Sequence, residues 1–224
     1  MQISLELYEL GIVVTAKNHN PTILNPDFLY RTEIISEDWK VIDPPVMTEL
    51  FSRSAFDSGV EIIARPDKVV FIDREKKFLS SQDSMRLSGI AASYVRTLKH
   101  VSYRAVGINP KGVVEFPSIQ KARDFLLDKF IKEGKWSSPE GMELHPKLGM
   151  NYIKEDSQII INMEEGTWNK EGENKSGVFF SANYHRDFTD KDHKEVLNKV
   201  IGTVENCGKD VRHYFDFVNN YFLE

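Results

Sequence analysis

Cysteine is nearly absent from this chain. Among 224 residues only Cys207 occurs, so no disulfide can form within it. A chain of this length can bury a core without such bridges. The lone thiol suits a reducing compartment, and the cytoplasm is the expected location. Long apolar runs are missing too: none approaches the roughly 18 residues of a membrane span. The opening MQISLELYELGIVV has no positively charged start, and Glu6 and Glu9 interrupt its apolar residues, so it does not read as a secretory signal. No membrane partner is expected. The sequence also lacks a glycine-rich phosphate loop, a nucleophile elbow and paired cysteines at metal spacing. These gaps weigh against the common nucleotide-binding, serine-hydrolase and structural-zinc classes.

What is present is ordinary for a globular protein: 41% hydrophobic and 28% charged residues. The length suits a single domain, 1–224, with 1–134 and 135–224 as possible sub-halves. Net charge is −5, which argues against non-specific nucleic-acid binding, but the charge is uneven. Residues 65–104 hold nine bases against four acids, a net +5. Such a segment can meet nucleic-acid phosphates or an acidic protein, or be neutralised inside the fold.

Periodicity gives an α+β fold class. ISLELY and IVVTA read as strands forming a short hairpin or one bent strand. VEIIA (60–64) and KVVFID (68–73), joined by Arg-Pro-Asp, read as a β-hairpin. Leu87, Ile90, Ala91, Tyr94, Val95 and Leu98 recur at helical spacing. YRAVGIN (103–109) reads as a strand ended by Asn-Pro and Lys-Gly. Residues 117–134 form a helix with Ser118 as N-cap and Gly134 as stop. GMNYIKE, QIIINMEEG and GVFFSANYH read as three antiparallel strands, the last two joined by a long polar loop, TWNKEGENKSG. A long C-terminal helix follows, from about Asp190 to Tyr221. The expected architecture is an antiparallel or mixed sheet with helices on one face. Strands followed by a helix occur twice, which raises an internal duplication.

Three stretches carry candidate chemistry. In AKNHNPTILNPDFLYR, Asn20-Pro21 and Asn25-Pro26 are turn signals, while Asn18, His19 and Asn20 offer donors and acceptors to a small ligand. In RPDKVVFIDREKK, Pro66-Asp67 followed by Glu75-Lys76-Lys77, with Glu61 upstream, resembles the pattern of PD-(D/E)xK metal-dependent nucleases. The resemblance implies Mg²⁺ or Mn²⁺ held by Asp67, Glu75 and Glu61, with Lys77 assisting the attacking water. The spacing departs from it, because eight residues of strand span roughly 26 Å, too far for two ligands of one ion. No other cofactor is expected. In ANYHRDFTDKDHKE, His185 and Asp187 share a strand face, and His193 in the next helix is a possible third metal ligand. Asp190 and Asp192 also have the simpler role of first-turn helix acids.

The C-terminal segment holds the clearest periodic signal. Leu197, Val200, Val204, Cys207, Val211, Tyr214, Val218 and Tyr221 alternate at spacings of three and four. That seam serves either the chain's own core or a partner. Val211, Tyr214, Phe215, Val218, Tyr221 and Phe222 are the candidate interface, since aromatics are enriched in interfaces. The functional expectation is a non-enzymatic cytoplasmic interaction protein, a homo-oligomer or a subunit of a larger assembly. The alternatives are the metal-dependent hydrolase and the small-ligand binder.

Overall fold

The computed structural model describes residues 4–74, 84–154, 157–170, 172–190 and 192–224. Nine strands form one sheet, and every neighbouring pair runs antiparallel. In chain order the strands are β1 (Glu6–Lys17), β2 (Val46–Met47), β3 (Ser52–Ala55), β4 (Val60–Arg65) and β5 (Lys68–Asp73). They continue as β6 (Ser102–Phe116), β7 (Lys147–Lys154), β8 (Ser157–Lys170) and β9 (Glu173–Asp187). The order across the sheet is β2-β3-β4-β5-β1-β6-β9-β8-β7, so β1 and β6 are central and β2 and β7 are the edges. The helices are α1 (Pro26–Arg31), α2 (Ser84–Thr97), α3 (Ile119–Phe130), α4 (His193–Glu205) and α5 (Cys207–Val218).

Alternation sets the two faces. Ile12 stands opposite Phe71 on β5 and Ile108 on β6, and Ile108 stands opposite Tyr184 on β9. All four are buried, and the helices cover this face with Tyr94 from α2, Leu126 from α3, Val200 from α4 and Tyr214 from α5. Tyr214, fully buried, donates its hydroxyl to the Phe180 carbonyl at 2.8 Å, so the core carries no orphaned phenol there. Among the described residues no helix covers the opposite face of the sheet. Its central residues, among them Val13, Val70, Asn109 and Asn183, are half-buried.

Several elements depart from the local sequence signals. The N-terminal apolar segments form one long strand with a bulge between Leu7 and Glu9, the bent-strand alternative. β6 does not stop at Asn109-Pro110 but runs on to Phe116. Proline cannot donate to a ladder, and pairing with β9 lapses over residues 109 and 110 before resuming at Lys111–Ser181. The polar stretch 167–177 is not a loop. It is the far half of a hairpin whose pairing closes at Lys170–Glu173, with Gly172 at φ +90°.

The long C-terminal helix is also corrected. It breaks at Asn206, which both ends α4 and starts α5. The Asn206 backbone N–H and side-chain amide both donate to the Gly202 carbonyl, at 3.1 and 2.7 Å. That closes the last turn of α4 in place of continuing it. After Val218 the chain widens into a π-helical turn, Asn219–Leu223. α3, which precedes residue 134, packs on β8 and β9, which follow it.

Candidate functional site

The Asn-rich stretch folds as two capped turns. Asn20 accepts from the Thr22 N–H at 3.1 Å and caps the 3-10 turn Pro21–Ile23. Asn25 accepts from the Phe28 N–H at 2.8 Å and caps α1. His19 is 3% exposed, and its Nε2 shares a 2.9 Å hydrogen bond with the Tyr94 hydroxyl. Its backbone N–H is held by the Pro66 carbonyl. Asn18, at φ +58°, is exposed. Of the three proposed ligand-binding residues, then, only Asn18 and Asn20 face solvent.

Of the nuclease-like residues, Asp67 and Glu61 are not brought together. Asp67 sits in the turn between β4 and β5, its carbonyl accepting the Ala16 N–H. Glu61 lies six residues back along β4, roughly 20 Å of extended chain away. Glu75 and Lys77 lie outside the described residues. Glu61 is engaged instead in a chain of ion pairs across five strands. Lys111 on β6 meets Glu9 on β1 at 2.7 Å, and Glu9 meets Arg74, just past β5, at 2.5 Å. Arg74 meets Glu61 at 2.5 Å, Glu61 also pairs with Arg53 on β3, and Arg53 reaches Asp43 at 3.2 Å.

Burial works to raise the Glu61 pKa. The hydrogen bonds and charges of Arg53 and Arg74 overcome this and hold it below the ordinary 4.5. Its contribution to stability is therefore present above that value and lost as pH falls through the folded-state pKa. Glu61→Ala leaves Arg53 and Arg74 facing each other without their shared carboxylate. The expected loss is about 1–3 kcal/mol by urea denaturation at pH 7. A loss under about 0.3 kcal/mol would mean that solvent screens the whole chain of charges.

The histidine-rich stretch divides. His185 Nε2 lies 3.2 Å from Asp187 Oδ2 on the uncovered face, as their shared strand parity predicts. His193 does not join them: its Nε2 donates to the Lys99 carbonyl at 2.7 Å. Asp192 caps α4, accepting from the Lys194 and Glu195 N–H groups, and Asp190 pairs with Lys199 at 2.9 Å. Among the described residues no three His, Cys, Asp or Glu side chains are gathered where they could hold one ion. Cys207 is buried, and burial pushes its thiol up to about 11, far from a reactive thiolate at neutral pH.

The proposed C-terminal interface is largely spent on the chain's own core. Val211, Tyr214 and Val218 are 0% exposed and Phe222 is 2% exposed, packed against sheet and helices. The seam faces inward because the sheet is the nearest apolar surface available to it. Only Tyr221, 70% exposed, stands clear, with Phe215 half-buried. The basic segment is split as well. Arg74, Arg86 and Arg96 pair with Glu9, Asp73 and Glu205. Arg65 and Lys68 stand opposite each other where β4 turns into β5, Lys68 3.8 Å from Asp67 and Arg65 over the Phe51 ring.

The exposed large apolar side chains have a distribution that periodicity did not indicate. Ile42, Val46, Met47 and Leu50 are 59%, 39%, 56% and 75% exposed on and beside edge strand β2. At the opposite edge, Tyr152 and Ile153 of β7 are 39% and 77% exposed, beside Tyr221. The ring of Phe217 bridges Tyr152 and Tyr221, with centroids 5.2 and 5.1 Å away. Pro44-Pro45 is the one sequence signal for the first group, since proline is confined to sheet edges. Nothing local marks the second, because an edge strand and an inner strand share the same alternation. No protein-family model matches this chain, and no curated protein matches it.

Proposed function

We propose that the protein works by association with other protein chains, without catalysis, as a homo-oligomer or as a subunit of a larger cytoplasmic assembly. The observation that carries this reading is the gathering of exposed apolar side chains at both edges of the sheet. Monomeric proteins expose such side chains singly, whereas contiguous ones mark interaction sites. Sheet edges are also where a fold offers unpaired backbone donors and acceptors to another chain. A hydrolase centred on Glu61 draws less support, because both Glu61 oxygens are engaged by arginines. Strands followed by helix recur over 46–98 (β2–β5, α2) and 148–221 (β7–β9, α4, α5), and this supports reading the chain as carrying a duplicated unit.

The test uses the β2 edge. Met47→Asp with Leu50→Asp adds two charges where both side chains already face solvent, so stability is expected to change by less than about 0.5 kcal/mol. Cross-linking in the native cell, with the wild-type chain and the variant as baits, is expected to recover a partner that the variant loses. An identical set of captured chains from both baits would sink the proposal at this edge.

A further inference from the structure

We infer that a neutral saccharide binds in a cleft on the uncovered face of the sheet, where β1, β6, β7, β8 and β9 meet. This goes beyond the association reading and does not depend on it. The cleft has a volume of about 450 Å³. Small-molecule sites run from roughly 300 to 1,000 Å³. One side of it is a row of residues, each opposite the next across the strands: Gly149, Asn162, Ser181, Lys111 and Glu9. The other side is formed by the rings of Tyr8 and Phe179, edge-on with centroids 5.9 Å apart. Phe179 stands two residues before Ser181 on β9, so ring and hydroxyl share one face.

Polar groups elsewhere on this face are engaged within the chain. Asn183 donates to Asn109 at 2.6 Å, Gln158 donates to Asn151 at 2.9 Å, and His185 lies 3.2 Å from Asp187. Those of the cleft differ. Among the described residues the Tyr8 hydroxyl, the Asn162 amide and the Ser181 hydroxyl have no hydrogen-bond partner, and none of the three is sealed from solvent. Burial pushes the Tyr8 phenol up to about 12, with Glu9 and Glu164 acting in the same direction, so it keeps its proton at neutral pH and can donate. Asn162 supplies both donors and an acceptor, and the Ser181 hydroxyl acts as either. The formal charges are already matched, because Lys111 meets Glu9 at 2.7 Å and Lys147 meets Glu164 at 2.5 Å. An ionic ligand would have to displace one of these partners, whereas an uncharged one would not. Hydroxyl groups that both donate and accept, beside a C–H face that can lie against an aromatic ring, are what a sugar presents. Gly149 keeps the β7 side of the cleft open, since a Cβ there would stand 3.0 Å from Asn162 Oδ1.

The test titrates the full chain with glucose, galactose, mannose, N-acetylglucosamine and their disaccharides, read by saturation-transfer NMR and calorimetry. At least one is expected to bind with a Kd of about 1 mM or below. Asn162→Ala is expected to weaken that binding about tenfold. Gly149→Val, which fills the cleft from β7, is expected to abolish it. Both residues are exposed, so both variants keep the fold, which circular dichroism checks. Glucose 6-phosphate is the charged control and is expected to bind no more tightly than glucose. A panel in which no sugar binds overturns the inference. Binding that is unchanged in both variants overturns it too, since the sugar then sits elsewhere. Tighter binding of the phosphate overturns the assignment of an uncharged ligand.

Discussion

Gly177→Ala is expected to lower the unfolding free energy by about 2–4 kcal/mol, although it adds a single methyl group to a strand. Gly177 lies in β9 between two partners, opposite Glu115 of β6 and Gly166 of β8. A Cβ at this position falls inside the van der Waals envelope of the Val114 carbonyl oxygen and 3.0 Å from Cζ3 of Trp168. The carbonyl is backbone, and β6 is fixed by pairing on both of its sides, so it cannot retreat as a flexible side chain would. Trp168 is itself packed edge-on against Phe179, with ring centroids 5.6 Å apart. Gly202→Ala is the control. In α4 an added Cβ at 202 meets nothing within 4 Å, and the substitution is expected to stabilise by up to about 1 kcal/mol through helix propensity. Urea denaturation of both variants is decisive. A Gly177→Ala protein within 0.5 kcal/mol of wild type would show that β6 and β9 are less tightly joined than the structure requires.

Tyr94→Ala is expected to cost about 3–5 kcal/mol, the largest effect of any substitution considered. Tyr94 is fully buried on α2, with Phe71 of β5 and Phe28 of α1 edge-on around its ring at 5.4 and 6.2 Å. Its hydroxyl is the partner of His19, so Tyr94→Phe separates ring from hydrogen bond. The expected cost of that change is about 1–3 kcal/mol, because His19 Nε2 is left buried without a partner. A cost below about 0.3 kcal/mol would mean that water replaces the hydroxyl.

His19 also gives the fold a pH dependence of known sign. Burial lowers its pKa below 6.5, with His100 acting in the same direction and the Arg65 backbone partly offsetting both. The unfolded chain therefore binds the proton more readily than the folded one. Stability is complete above about pH 6.5 and declines as pH falls towards the folded-state pKa. The thermal midpoint is expected to drop between pH 7 and pH 5, and His19→Gln to flatten that part of the profile. An unchanged slope in His19→Gln would assign the dependence to another group.

The Asn-rich loop shows how local chemistry and tertiary contact share the work. Its turns were legible, because Asn before Pro caps through bonds only two or three residues long. The burial of His19 was not, since its partner Tyr94 is 75 residues away. The same division holds for the charges. The basic excess of 65–104 is a fact of composition, but Arg74 finds Glu9 across 65 residues, and only the sheet order brings them together. Resemblance to a metal site at Asp67, Glu75 and Glu61 rests on residue types along the chain, and residue types do not say that Glu61 is taken by Arg53 and Arg74.

The sequence by itself determined the α+β class, the β4–β5 hairpin, the amphipathic face of α2, the Ser118 cap and the existence, though not the inward orientation, of the apolar seam in the last helices. Those follow from residue preference and from periods of 2 and 3.6, which act over a few residues. Tertiary structure decided that β6 runs through Pro110, that 167–177 pairs as a hairpin, and that Asn206 breaks the last helix. It also decided which strands are edges. Ile161, opposite Met150 and Ala182, is buried because it lies under the helices. Ile153 is exposed because it lies on the other face at the sheet edge, and that is set by pairing between distant parts of the chain.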